Sequence, residues 1–283
     1  MANNILVFGG SRHIGYHASL RFLNAGATVT FLLRSPATFD GDEDIQKHVK
    51  SGKARLLKGD ALVEEDVRNA WNEATKESPV DLVIFTVGFT GNQKFKLTKG
   101  LMMTTNDIVT KCLLNVLCTM PKPDNQPLPK FIALSTSGVT RSSRSTVPLA
   151  LKPVYSYLIQ HHLQDKLAME RIIYHCAGWE WNSRVDGEPS VEITGENWKE
   201  RAGLPQPGSL KDAMIIRAAL LNDGDCVADV LTALGKKDKA PYRVADGDVS
   251  GYAISRKDVA HFVFDAVSNH WEQYGGKGVG IAY

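Results

Sequence analysis

Ile5-Leu6-Val7-Phe8-Gly9-Gly10-Ser11-Arg12-His13-Ile14-Gly15 is the stretch on which the fold turns. Four apolar residues of strand character run into a glycine-rich turn, after which Ile14, Ala18 and Phe22 recur at helical spacing and share one face. A strand that turns tightly into a helix leaves the first helical N–H groups without intrahelical partners. The turn therefore offers backbone amides and the positive end of a helix dipole to an anion such as a pyrophosphate. Gly26, just past the last periodic residue, is expected to close the helix.

The same alternation continues outward from this unit. Apolar runs of strand length at 28–33, 54–57, 82–87 and 131–134 alternate with helical stripes, Val67/Ala70/Trp71/Ala74 and then Val109/Cys112/Leu113/Val116/Leu117. Such alternation reads as βαβ units, and the expected class is α/β: a doubly wound, mostly parallel sheet with a small C-terminal region capping the substrate. Pro121, Pro123, Pro127 and Pro129 mark an exposed connection before the fifth strand. The second half is less regular, with a helix expected over about 158–175 and a buried strand at 213–216. Ser255 with Asp258 three residues on resembles a capping box, opening a helix that buries Val259, Phe262, Val263 and Ala266. Between the helix and that strand lies a polar stretch, 178–211, carrying Trp179, Trp181 and Trp198. It is read as an insertion over the carboxyl edge of the sheet, its tryptophans lining an apolar pocket or forming a small satellite core. No repeat or linker divides the chain, so residues 1–283 are read as a single domain with this insertion.

Composition narrows the function. Lysine and arginine total 33 against 31 acidic residues, a net charge of +2, which argues against a broad polyanion-binding face for nucleic acid or membrane. No run approaches the ~20 apolar residues of a membrane span. A strand begins within four residues of Met1, leaving no room for a signal sequence, and Cys112, Cys118, Cys176 and Cys226 form no metal-like spacing. The expectation is a cytoplasmic protein with reduced thiols and a small-molecule substrate, with a homodimer as the assembly open to it. His13 and His17 stand four apart but lie in the phosphate turn, so no metal is expected.

Arg34 ends the second strand about 20 residues past Gly15, where NAD-binding proteins carry an acid for the adenosine ribose. An acid there repels a 2′-phosphate, whereas the forked guanidinium of Arg34, with Arg12 approaching from the turn, attracts one. NADP(H) is accordingly the expected cofactor. Gly9, Ser11, Arg12, His13, Ile14 and Gly15 are expected around its pyrophosphate.

These features resemble the short-chain dehydrogenase/reductase superfamily. Gly9 and Gly15 match its three-glycine pattern, with Arg12 in the middle position; Asp60-Ala61 resembles its adenine-contacting segment, and Thr86-Val87-Gly88 its cofactor-side loop. The fifth strand ends in Ser135-Thr136-Ser137-Gly138, where the superfamily keeps a hydroxyl for the substrate carbonyl. The resemblance implies that role for Ser137, with Ser135 as runner-up and a cofactor contact. Where the superfamily has Tyr-x-x-x-Lys, this chain has His162-Leu163-Gln164-Asp165-Lys166. Lys166 is thereby implied as the ligand of the nicotinamide ribose, and His162, four residues earlier on the same helical face, as proton donor. A neighbouring ammonium lowers an imidazole pKa, so Tyr155 and Tyr157 stand as alternative donors.

The missing tyrosine, together with Asp165-Lys166-Leu167-Ala168-Met169-Glu170, Ile215-Ile216-Arg217-Ala218 and Ile254-Ser255-Arg256-Lys257-Asp258-Val259-Ala260, resembles the atypical, NmrA-like branch. That branch implies two outcomes: an NADPH-dependent reductase of a carbonyl, imine or conjugated alkene, or a non-catalytic NADP(H)-sensing regulator that binds a partner. An epimerase-like activity needs a sugar-nucleotide site that no residues here identify.

Overall fold

Strands β1 (Asn4–Phe8), β2 (Thr28–Leu33), β3 (Ala54–Lys58), β4 (Leu82–Phe85), β5 (Lys130–Thr136), β6 (Ala213–Ala218), β7 (Arg243–Asp246) and β8 (Lys277–Ala282) form one sheet in the order β7-β8-β6-β5-β4-β1-β2-β3. The structure is a computed structural model that describes residues 2–88, 94–96, 100–102, 106–122, 127–145, 160–236 and 238–283. Every pairing in the sheet is parallel except that of edge strand β7 with β8. Strand order reverses between β1 and β4, and a crevice opens beyond the carboxyl ends of strands at such a switch point. The doubly wound α/β expectation is met.

Both faces of the sheet are covered, which explains why its central strands read as continuous apolar runs rather than alternating ones. Ile5 and Val7 of β1 join a core with α1 (His13–Asn24), α2 (Glu43–Lys50) and α7 (Arg256–Asn269). Leu6 and Phe8 of the same strand join the opposite core, with α3 (Glu64–Ala74), α4 (Ile108–Thr119) and α5 (Gln160–Ala177). Gly26 takes φ +92 directly after α1, where a side chain is disfavoured, and its N–H donates to the Leu23 carbonyl as expected of a closing glycine.

Two buried carboxylates fasten helix ends that lie far from them in sequence. Asp165 accepts the N–H groups of Val109 and Thr110 at the start of α4, each at 2.9 Å, and the Thr110 hydroxyl at 2.6 Å. Asp258 accepts the N–H groups of Val227 (3.0 Å) and Ala228 (3.1 Å), so it caps α6 (Val227–Ala233). Only half of the expected capping box forms: the Ser255 oxygen accepts the Asp258 N–H at 2.9 Å, while the Ser255 N–H donates to the Tyr283 hydroxyl at 3.1 Å instead of to Asp258.

Strand β8 and the 178–211 stretch differ from expectation. Strand β8 escapes the sequence pattern because Gly278 and Gly280 interrupt its apolar residues. A Cβ on Gly280 would stand 2.5 Å from the Val249 nitrogen, so the bare position admits the loop after β7. The 178–211 stretch reaches the carboxyl edge only in part: just beyond the end of β5, the Arg141 and Ser142 N–H groups donate to the Asp186 and Val185 carbonyls at 2.9 and 3.0 Å. The rest runs along the outer side of α4 and α5: Leu210 N–H donates to the Cys176 carbonyl, Arg201 reaches Asn115 at 2.7 Å, and Trp179 and Trp181 each pack edge-on against Tyr174 at 5.0 Å. Trp198 packs on His175. Of the two readings left open for the tryptophans, the satellite core is the one the structure takes, because the exposed sides of two amphipathic helices supply the nearest apolar surface.

Candidate functional site: the cleft at the switch point

At the crevice between β1 and β4, a cleft of about 480 Å³ is lined by the whole turn from Gly9 to Gly15, by Arg34, Ser35 and Thr38 after β2, and by Thr86 to Gly88 after β4. Three glycines shape it. Gly9 holds φ +86, and a Cβ there would lie 2.7 Å from the Thr86 backbone; at Gly15 it would lie 2.4 Å from Thr86 Oγ1 and 2.7 Å from the Gly9 carbonyl; at Gly10 it would strike Val7 and Phe31. The Thr86 hydroxyl donates to the Gly9 and Phe8 carbonyls at 3.1 and 3.3 Å, clipping the end of β4 to the turn. That clip is why β4 ends at Phe85, two residues before the expected end.

Arg12, extended at the N-cap of α1, makes no side-chain hydrogen bond to the helix start, and the following His13 sits at φ +57, a conformation costly for a side-chain-bearing residue. The amides at the mouth of α1 are thus left for a ligand rather than for a capping side chain. Burial, then the charges of Arg256 and Arg12, lower the His13 pKa against the opposing pull of Asp223. Arg12, Arg34 and Arg256 all line the cleft, and no carboxylate is among the described residues lining it. Nothing in the sequence around Arg256 marks it as a cleft residue.

Ala61 lines the cleft between Gly59 and Leu62; the carboxylate of Asp60 instead braces its own turn by accepting the Leu62 N–H at 3.0 Å. Ser135 points to the opposite face from Leu134, which lines the cleft, and its hydroxyl is buried without a hydrogen-bond partner among the described residues. The Ser137 hydroxyl, also buried, lies 3.5 Å from the Arg217 carbonyl. Tyr155 and Tyr157, and the side chain of His162, lie outside the described residues.

Lys166 donates to the carbonyls of Leu134 at 2.7 Å and Val87 at 3.0 Å, joining the carboxyl end of β5 to the loop leaving β4. Enclosure of the ammonium lowers its pKa from 10.5 to about 8, with Asp165 and Glu170 pulling the other way. Between those two values the unfolded chain holds a proton that the folded chain lacks, so the stability traceable to Lys166 rises as pH climbs through that window. Urea midpoints of the wild type and Lys166→Met, measured below and above pH about 8, are expected to show the wild type gaining on the variant at the higher pH. A constant difference between the two would mean that the amine titrates as in water.

Residues 5–178 match the NAD dependent epimerase/dehydratase family. A curated relative, Reductase pytE from Aspergillus terreus, is 27% identical over 177 residues, which are 62% of this chain and 56% of that protein. The chain thus spans little more than half the length of that relative. Among solved structures, a short chain dehydrogenase from Burkholderia cenocepacia in complex with NADP superposes with a TM-score of 0.58 at 16% identity, covering 99% of this chain and 96% of that one. ChuY, an anaerobillin reductase from Escherichia coli, gives 0.55 at 13% identity over 98% and 96% of the two chains. These superpositions establish the likeness of fold, while the family match spans the strand–turn–helix unit, the cleft loops and α5. The chain belongs to the NAD dependent epimerase/dehydratase family.

Proposed function

We propose that the chain is an NADP(H)-dependent oxidoreductase, a single NADP(H)-binding domain that passes hydride to a small carbonyl, imine or conjugated alkene. The observation that carries this reading is the lining of the cleft: guanidinium groups and helix-start amides, with no carboxylate among the described residues. A cleft of that charge favours the dinucleotide with the extra phosphate. The turn from Gly9 to Gly15 would take the pyrophosphate, Arg34 with Ser35 and Thr38 the 2′-phosphate, and Ala61 and Leu62 the adenine side. When bound, the dinucleotide supplies the hydride, and the protein's part is to place the acceptor and supply a proton. Ser137 at the end of β5 is the hydroxyl assigned to the acceptor oxygen, with His162, Tyr155 or Tyr157 giving the proton. Lys166, by holding the ends of β4 and β5 together, keeps the floor beneath the acceptor in place. The name of the Aspergillus relative, a reductase, accords with this chemistry.

Calorimetry with NADPH and NADH on the wild type and Arg34→Gln tests the cofactor assignment. NADPH is expected to bind at least about tenfold more tightly, roughly 1.4 kcal/mol, and the variant to lose most of that margin. Comparable constants for the two dinucleotides on the wild type would dispose of it. One observation favours the rival, a sensor that binds NADP(H) without turning it over: the Lys166 ammonium is already engaged by two backbone carbonyls. Oxidation of NADPH in the presence of carbonyls, quinones or flavins excludes the sensor, whereas binding without turnover across such a panel selects it.

A further inference from the structure

Arg256 lies well beyond the family-matched residues 5–178, yet it lines the same cleft as the glycine turn. The fold brings it there in two steps. Helix α7 packs along α1, with Phe264 edge-on to Phe22 at 5.0 Å. The short parallel pair Leu220–Asn222 and Ala253–Ser255 then sets the first turn of α7 beside the first turn of α1. Ser255 and Asp258 spend their side chains on capping, so Arg256, the first helical residue, is the one that faces the cleft.

Its partner is Asp223, 2.8 Å away, and His13 Nδ1 lies 3.9 Å from the same carboxylate oxygen. The two ends of the pair differ in setting: the Arg256 side chain is 23% exposed and that of Asp223 is 76% exposed. An ion pair to a carboxylate so open to water is weak and easily exchanged. Two helix starts and the guanidiniums of Arg12 and Arg256 therefore converge on one spot whose anion is a solvent-facing side chain.

We propose that Arg256 is a pyrophosphate-binding residue of the dinucleotide cleft, and that Asp223 is the counter-ion it gives up when the dinucleotide enters. The inference rests on the cofactor reading above and adds a ligand from the C-terminal segment. It concerns the pyrophosphate rather than the 2′-phosphate, because Arg256 neighbours His13 at the mouth of α1, while Arg34, Ser35 and Thr38 form the adenosine end. NADH and NADPH share that pyrophosphate, so Arg256 raises affinity without choosing between them.

Isothermal calorimetry with NADPH, NADH and ADP-ribose on the wild type, Arg256→Gln, Arg256→Lys and Asp223→Asn tests it. Arg256→Gln is expected to weaken all three ligands alike, by roughly tenfold. Arg256→Lys should recover part of the loss, and Asp223→Asn should tighten all three severalfold by removing the competing carboxylate. Melting curves accompany each variant, and little change is expected because the Asp223 end of the lost pair is open to water. The inference is overturned if Arg256→Gln binds NADPH within about twofold of the wild type, or if it weakens NADPH alone. Wild-type protein that binds neither dinucleotide overturns the cofactor reading and this inference together. Wild-type protein that binds both equally well overturns only the preference assigned to Arg34.

Discussion

Gly15→Ala is expected to weaken NADPH binding about a hundredfold, roughly 2.8 kcal/mol. The added methyl would sit 2.4 Å from Thr86 Oγ1 and 2.7 Å from the Gly9 carbonyl. The first of these atoms can rotate away; the second is backbone of the turn itself. Relief requires α1 to lift off the turn, and forced insertion into a packed site costs about 1–3 kcal/mol. That movement also takes the amides of the α1 start away from the phosphate they would hold. Thr86→Ala in the same chain removes the nearer clash but leaves the Gly9 carbonyl, so the double variant should regain part of the lost affinity and not all of it. Calorimetry, with circular dichroism to confirm folding, measures each step. A folded Gly15→Ala protein that binds NADPH as the wild type does would show that this turn is not the phosphate cradle.

How much of this could be read from the residues divides along the range of the signal. Strand 28–33 is found at its expected bounds, Gly9 and Gly15 sit in the tight strand-to-helix turn that their spacing indicates, Gly26 closes α1, and Ser255 caps the start of α7. Each depends on neighbours within one turn or one strand, where spacing and residue type suffice. What remained hidden depends on partners distant in sequence. Asp165 reads as part of a family motif, but its oxygens serve α4, more than fifty residues away. Arg256 reads only as part of the family-like segment 254–260, and the packing of α7 on α1 is what carries it to the cleft. The tryptophans of 178–211 announce an apolar surface without saying which, and the outer sides of α4 and α5 lie nearer to them than the carboxyl edge. Strand β8 is hidden for a different reason, since Gly280, which breaks its apolar run, is there for the loop that crosses it.

The largest loss of stability is expected from Glu170→Gln, about 3–5 kcal/mol. Glu170 is fully buried on α5, and Arg217 of β6 is 4% exposed. The guanidinium grips the carboxylate through Nη2 at 2.7 Å and Nε at 3.2 Å, and reaches Asp248 at 3.3 Å and the Tyr174 hydroxyl at 3.4 Å. Burial works against the Arg217 charge, yet Glu170 and then Asp248 hold its pKa above the ordinary arginine value. Burial raises the Asp248 pKa against the pull of Arg217. A neutral amide at 170 would leave the cation with Asp248 alone, a carboxylate already disfavoured in its charged form, and one of whose oxygens is buried without a partner among the described residues. Removing one member of a buried pair leaves an uncompensated charge, whereas removing both can be nearly neutral. Glu170→Leu combined with Arg217→Met should therefore be more stable than Glu170→Gln alone, as urea unfolding would show. The pair also bears on the cleft, because Glu170 stands one turn along α5 from Lys166, and pinning that turn to β6 sets the depth at which the ammonium meets the Leu134 and Val87 carbonyls. The double variant, stable but without this anchor, should bind NADPH more weakly than its stability suggests. If Glu170→Gln unfolds at the wild-type urea midpoint, the cluster is hydrated in solution, and the seating of α5 must come from its apolar contacts.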